Sequence, residues 1–264
     1  MKPLATFKHI SSKNANYGDD EKYLTFAHDE FTMKPTLDTD GRLVPREDYR
    51  ISTLNCGEED FAFACMRSNL RYGKNQKRED VKSHHYIISF DPRDGPDNGL
   101  TVDKAQELGE RFCREQFPGH QAIICTHLDG HNQSGNIHVH IVINSLRIEN
   151  VLLPYMDRPA DTKAGCKHRC TDAAMEYFKS EVMELCHEAG LYQIDLLNGS
   201  ANRVMRIISV PSWSRSSGCP AKPRSADTRS VWHRLKSGWE SLTVCLSAFM
   251  RTMWRGASQM KGSL

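Results

Sequence analysis

Residues 138–144, His-Val-His-Ile-Val-Ile-Asn, constrain the fold of this chain more than any other stretch. Val139, Ile141, Val142 and Ile143 are β-branched and specify a strand. Side chains two apart in a strand share a face, so His138 and His140 project together while Val139 turns to the other side. The apolar run Gln121 to Leu128 precedes this strand across a polar loop containing Gly130 and Gly135, which is the pattern of a hairpin. The first strand ends at His127 and the second begins near Ile137. His127 therefore comes within cross-strand reach of the pair, since directly opposed Cβ atoms lie roughly 4.5–5.5 Å apart. Three converging imidazoles without cysteine make a site for a divalent metal with open positions, suited to polarising a phosphoryl oxygen. Asp129 is near enough in sequence to orient one imidazole from behind. His131 is the rival to His127 as third ligand. The plain alternative is a surface hairpin that happens to be histidine-rich. Four histidines in fourteen residues, two of them alternating on a β-branched strand, argue against it.

The flanking sequence supplies further elements. Residues 20–31 read as a helix with Tyr23, Phe26, Ala27 and Phe31 on one face. Residues 58–71 read as a second, with Phe61, Ala64, Cys65 and Leu70 as its apolar positions. Residues 84–90, His-His-Tyr-Ile-Ile-Ser-Phe, form a strand that stops at Asp91-Pro92. Thr101 caps a helix with the stripe Ala105, Leu108, Phe112 and Phe117, closed by Pro118-Gly119. Thr171 caps a longer helix over Ala174, Met175, Phe178, Val182, Leu185 and Ala189, ended by Gly190. Helices mixed with strands around an adjacent hairpin predict an α+β fold, a mainly antiparallel central sheet with flanking helices.

Charge divides the chain. Residues 204–264 hold ten Lys/Arg against two Asp/Glu, while residues 1–203 hold 25 against 31. All four tryptophans fall in the C-terminal stretch. We therefore expect one domain over 1–203 and an atypical basic Ser/Arg/Trp-containing tail over 204–264, with the composition of a disordered or frame-shifted segment. A net-acidic body does not advertise nucleic-acid binding, and only a local patch answers that objection. One exists: Arg67, Arg71, Lys74, Lys77, Arg78 and Lys82 lie within sixteen residues, interleaved with Tyr72. A solvated, charged helix end is the alternative reading of that patch. The N-terminus has no secretion signal, no run approaches the ~18 apolar residues of a membrane span, and nine cysteines are scattered without a framework. These features point to the cytoplasm. Cys166 and Cys170 around His168 are a weaker metal candidate, because no second cysteine pair follows at suitable spacing.

The histidine strand, preceded by His127-Leu128-Asp129 and followed by Ile-Val-Ile-Asn, resembles the relaxase/mobilisation nuclease family of plasmid and conjugative-element mobilisation proteins, which belong to the HUH endonucleases. Glu21 to Phe26 is similar to the family's first motif, a helix carrying a nucleophilic tyrosine. Residues 84–90 are similar to its second motif, a strand whose serine approaches the DNA backbone. The resemblance covers roughly residues 5–200. It implies Tyr23 as nucleophile, Ser89 as a DNA contact, and His127, His138 and His140 as ligands of Mg2+ or Mn2+, with Zn2+ as the alternative. It implies nicking and rejoining of single-stranded DNA at a transfer origin through a 5′-phosphotyrosine. It also implies as partners accessory mobilisation proteins and a coupling protein or type IV secretion system. Tyr17 is a rival nucleophile, placed by its polar surroundings in a loop. A rolling-circle replication initiator would place its tyrosine after the histidines, where Tyr177 stands. A non-catalytic metal- or DNA-binding fragment is the third reading.

Overall fold

The computed structural model describes residues 6–29, 32, 34–128 and 136–197, together with the short strand Val204–Met205, and the expected histidine hairpin stands at its centre. Five strands, β1 (Thr6–Ser12), β2 (Tyr49–Leu54), β3 (Ser83–Ser89), β4 (His120–His127) and β5 (His138–Arg147), form one sheet in the order β1-β3-β5-β4-β2. Every neighbouring pair is antiparallel. With its flanking helices this is the α+β architecture that the sequence predicts. The two edge strands escaped the sequence reading because Lys8, His9, Arg50 and Ser52 interrupt their apolar pattern, as suits edges covered on one side only.

The helices are α1 (Tyr17–Thr25), α2 (Phe61–Arg71), the short α3 (Asp94–Asn98), α4 (Val102–Gln116) and α5 (Asp172–Glu188). Side-chain oxygens cap four of them: Asn16 accepts from the Gly18 N–H, Asp60 from Phe63, Thr101 from Lys104 and Thr171 from Ala174. The helix expected over 20–31 is corrected by its cap. Asn16 starts α1 at Tyr17, so Tyr17 is helical rather than in a loop. The helix ends at Thr25 because Phe26 turns extended and bridges to Pro45. Phe31 lies outside the described residues. On α2, Leu70 is 75% exposed, and Asn69 takes the buried place beside it.

Strand alternation divides the core in two. Val139, Ile141 and Ile143 turn to one face with Tyr86, Ile88 and Ile124, against Ala105 and Phe112 of α4 and Phe178, Val182 and Leu185 of α5. Val142, Cys125 and Ile123 turn to the other face, against Tyr17 and Leu24 of α1 and Phe61, Ala64 and Cys65 of α2. Gly109 sets how closely α4 approaches, because a Cβ there would overlap Val139. That contact lies directly behind the histidine pair and leaves β5 little freedom to shift. A two-stranded ribbon of β6 (Gln193–Ile194) and β7 (Val204–Met205) follows α5. The tail beyond Met205 lies outside the described residues. Among those described, no helix is long and apolar enough to cross a membrane.

Candidate active site

The register of β4 and β5 pairs His127 directly with His138 and Cys125 with His140. Paired residues share a face, so all three imidazoles converge: ring centroids are 5.3 Å apart for His127–His138 and 4.8 Å for each of the other two pairs. One ligand atom from each lies within 4.8 Å of the others. A second nitrogen on each ring is held by a neighbour. The His127 Nε2–H donates to the Leu24 carbonyl at 2.7 Å, His138 Nδ1–H to the Asn136 carbonyl at 3.1 Å, and His140 Nδ1 bonds His85 Nε2 at 2.7 Å. Such partners fix ring orientation at metal sites. Burial, then the Arg46 charge, pushes His127 down to about 3. Burial and His85 hold His140 well below the ordinary range. Both rings are therefore neutral at pH 7, the form that lends a lone pair to a metal. Three nitrogens and no carboxylate suit a transition ion better than Mg2+. The residues present fit a divalent cation.

The partner of His127 comes from the C-terminal turn of α1, where carbonyls lack helical donors. The same turn presents Tyr23. Its ring lies 5.9 Å from His140, 6.1 Å from His85 and 5.1 Å from His28, and is half-buried. Burial raises the phenol above its ordinary value, and the Arg46 charge opposes that rise. Arg46 is half-buried, and its Nη2 reaches the Tyr23 carbonyl at 3.5 Å. Tyr17, at the other end of α1, is buried with its hydroxyl 3.1 Å from the Lys82 carbonyl and accepting from Asn69 Nδ2 at 2.7 Å. Tyr177 is on α5, its ring tilted against that of Tyr155 at 5.5 Å, and packed against the core on the face opposite the histidines. Of the three tyrosines weighed from the sequence, Tyr23 alone stands at the histidines.

A family model described as relaxase, MobA/VirD2-like, nuclease domain, matches residues 44–191, more than half of the chain. The chain belongs to this relaxase family. The match takes in Arg46, Ser89 and the three histidines, and begins after Tyr23. Two curated relatives are each "Protein rlx" of Staphylococcus aureus. One is 27% identical over 140 residues, 53% of this chain and 36% of the relative. The other is 33% identical over 99 residues, 37% of this chain and 26% of the relative. The chain thus spans between about a quarter and just over a third of the length of the curated relatives it matches. A solved structure described as "Molecular Basis of Vancomycin Resistance Transfer in Staphylococcus aureus" aligns with 70% of this chain and 92% of its own, at 12% identity and a TM-score of 0.43.

In this chain Ser89 pairs with His138 across β3 and β5 and so shares the histidine face. The basic residues lie elsewhere. Arg67 and Arg71 are exposed on α2, Arg67 paired with Glu59 at 2.8 Å and Arg71 over the Tyr72 ring. Lys74, Lys77 and Arg78 are exposed in the segment leading to Ser83, which pairs with Asn144. That is six residues along β5 from His138, roughly 20 Å at ~3.3 Å per residue. The fold therefore does not gather this patch at the histidines. Lys82 is buried and donates to the Lys77 and Asp80 carbonyls, so it braces a loop. Asp129 and His131 lie outside the described residues. His168 is buried against the Tyr86 hydroxyl at 2.8 Å, and among the described residues only His127, His138 and His140 gather as a metal-ligand group. Three residues at the site were not singled out from the sequence: His85, Arg46, and Tyr49, which pairs with His127 across β2 and β4. His85 sits in the quoted second motif, and strand alternation from Ser89 puts it on the histidine face.

Proposed function

We propose that the chain nicks one strand of a transfer-origin DNA and can rejoin it, for conjugative mobilisation, with Tyr23 as nucleophile and His127, His138 and His140 as holders of a divalent cation. The observation that carries this reading is the Tyr23 ring standing 5.9 Å from His140, on the turn whose Leu24 carbonyl holds His127. A divalent ion bound there supplies positive charge to the scissile phosphate as charge develops. Tyr23 Oη attacks phosphorus and gives up its proton to solvent. The bond to O3′ breaks, leaving a 5′-phosphotyrosine and a 3′-hydroxyl that takes a proton from water. The bond energy is kept in the phosphotyrosine, so the same site can reseal the strand. Helix α1 holds the phenol near its target, which lowers the entropic part of the barrier. Ser89, beside His138, is positioned for a backbone phosphate. Arg67, Arg71, Lys74, Lys77 and Arg78 would meet DNA flanking the nick rather than the nick itself.

The test is single-stranded transfer-origin DNA incubated with the full chain and Mn2+, read on a denaturing gel. A protein–DNA adduct that forms with Mn2+ and disappears with EDTA is the expected result. DNA binding without any adduct would replace this reading with that of a non-catalytic binding protein.

A further inference from the structure

The end of β5 buries a positive charge that no carboxylate among the described residues pairs with. Arg147 is 2% exposed, and its Nε and Nη1 meet no acceptor among those residues. Tyr155 Oη bonds the guanidinium and donates its own proton to the Gln116 carbonyl at 3.3 Å. The carboxylates nearby are already engaged. Asp161 accepts from Arg158 at 3.0 Å and from Arg169 at 2.9 Å, and Asp157 accepts from Arg169 at 3.1 Å. Asp161 therefore acts on Arg147 only through space. Three guanidinium groups share two carboxylates, and the deepest of the three is the one without a partner. Arg158 and Arg169 reach solvent, whereas a charge as buried as Arg147 is strongly unfavourable unless paired. Arg147, Tyr155, Asp161, His168, Arg169 and Thr171 line a cavity with about 10 Å3 of free space, bordered by Asp157 at the surface. His168 is buried too, its Nε2 bonded to Tyr86 Oη at 2.8 Å and its Nδ1 without a partner. Free space of that size takes one water-sized particle and excludes a phosphate group.

We propose that this cavity is a binding site for a single monovalent anion of chloride size, held by the Arg147 guanidinium and by His168 Nδ1–H. The anion supplies the counter-charge that Asp157 and Asp161 spend on Arg158 and Arg169. It selects the His168 tautomer protonated at Nδ1, with Nε2 accepting from Tyr86 Oη–H. The segment it steadies is already laid along β5, where the Arg147 N–H donates to the Cys166 carbonyl at 2.9 Å and the His168 N–H to the Ser145 carbonyl at 2.6 Å. The anion thus fastens the stretch 165–169 to the end of β5 and stabilises the folded chain. The site is separate from His127, His138 and His140 and stands whether or not the chain nicks DNA.

The experiment is urea unfolding of the full chain at pH 7, with chloride replacing gluconate at constant ionic strength. Gluconate is too large for the cavity. Above the dissociation constant, each tenfold rise in chloride should raise the folding constant about tenfold, and the urea midpoint should climb with it. Arg147→Met keeps most of the side-chain length and removes the charge, so its midpoint should be indifferent to chloride. A crystal grown in bromide should show an anomalous peak in the cavity, at hydrogen-bond distance from Arg147 and His168. Equal wild-type midpoints in chloride and gluconate overturn the assignment. So does a chloride response that survives unchanged in Arg147→Met, since the ion then binds elsewhere. Should Arg147→Met not fold, the bromide crystal of wild type decides alone: a cavity holding an ordered water only overturns the site, and bromide on Arg147 upholds it.

Discussion

Helix α1 carries a tyrosine at each end, and the two could hardly be treated more differently. Tyr17 opens the helix over the far end of the sheet, inside a closed polar network. Its hydroxyl meets the Lys82 carbonyl, Asn69, Asn75 and Asn144, while Ser145 and Gln121 complete the set. Tyr23 ends the helix at the histidines, half-buried, facing aromatic rings and a guanidinium. Burial raises both phenols, more strongly for Tyr17. One hydroxyl is held for packing and the other stands where chemistry can reach it. Residue type and helix are the same, so the difference lies wholly in what the sheet offers at its two ends.

That contrast can be broken most sharply by exchanging each tyrosine for phenylalanine. Tyr23→Phe should lose adduct formation entirely, since the adduct is the obligatory intermediate. It should bind single-stranded DNA with nearly unchanged affinity, because phosphate charge and base stacking are spared. Tyr17→Phe and Tyr177→Phe should both still form the adduct, and an adduct that survives Tyr23→Phe but not Tyr177→Phe would reinstate the replication-initiator reading.

A smaller effect is expected at the ligand support. His85→Phe removes the nitrogen that holds His140 Nδ1. Loss of such a support typically costs about 10–100-fold in metal affinity, readable by Mn2+ titration calorimetry. An unchanged affinity would mean that the other contacts of His140 suffice to orient it.

At the far end the expected effect is on stability. Tyr17→Phe leaves the buried Asn69 amide short of an acceptor, a cost of about 1–3 kcal/mol in denaturant unfolding. A variant as stable as wild type would show that the network closes without the hydroxyl.

The gentlest test uses pH. His84 and His120, both buried at the far end, are pushed down to about 3, chiefly by burial. Their folded values lie below the unfolded value of ~6.5. Folding is therefore unpenalised above pH ~6.5, and stability is lost as pH falls from there towards 3. Each imidazole contributes a slope on the order of 1.4 kcal/mol per pH unit. Urea unfolding from pH 7 to 4.5 should show that steepening, and His120→Asn should flatten it.

How much of this was legible beforehand follows from the range of each interaction. The β4–β5 hairpin and its three histidines could be read because period-two alternation and a short connection are local facts. The caps at Thr101 and Thr171 were equally local. The helix carrying Tyr23 was legible as a helix but misplaced by three residues at its start, because Asn16 is an unobtrusive cap in a polar run. Strands β1 and β2 gave too weak a pattern, being edges. The basic stretch 67–78 was legible as a local patch, but charge in a sequence carries no address, so where it lies relative to the histidines was not.

The sequence by itself determined that His138 and His140 would share a face within reach of His127 and that the sheet would be mainly antiparallel, since strand alternation and hairpin register depend on neighbours in the chain. Only the tertiary structure decided which tyrosine stands at those histidines, that His85 holds His140, and that Arg46 reaches the Tyr23 carbonyl from the segment before β2. It also decided that the segment carrying Lys74, Lys77 and Arg78 leads into the end of β3 that lies roughly 20 Å along the sheet from His138. Those relations join segments separated by dozens of residues. They are set by how α1 lies along β5 and how the strands are ordered, which no local pattern encodes.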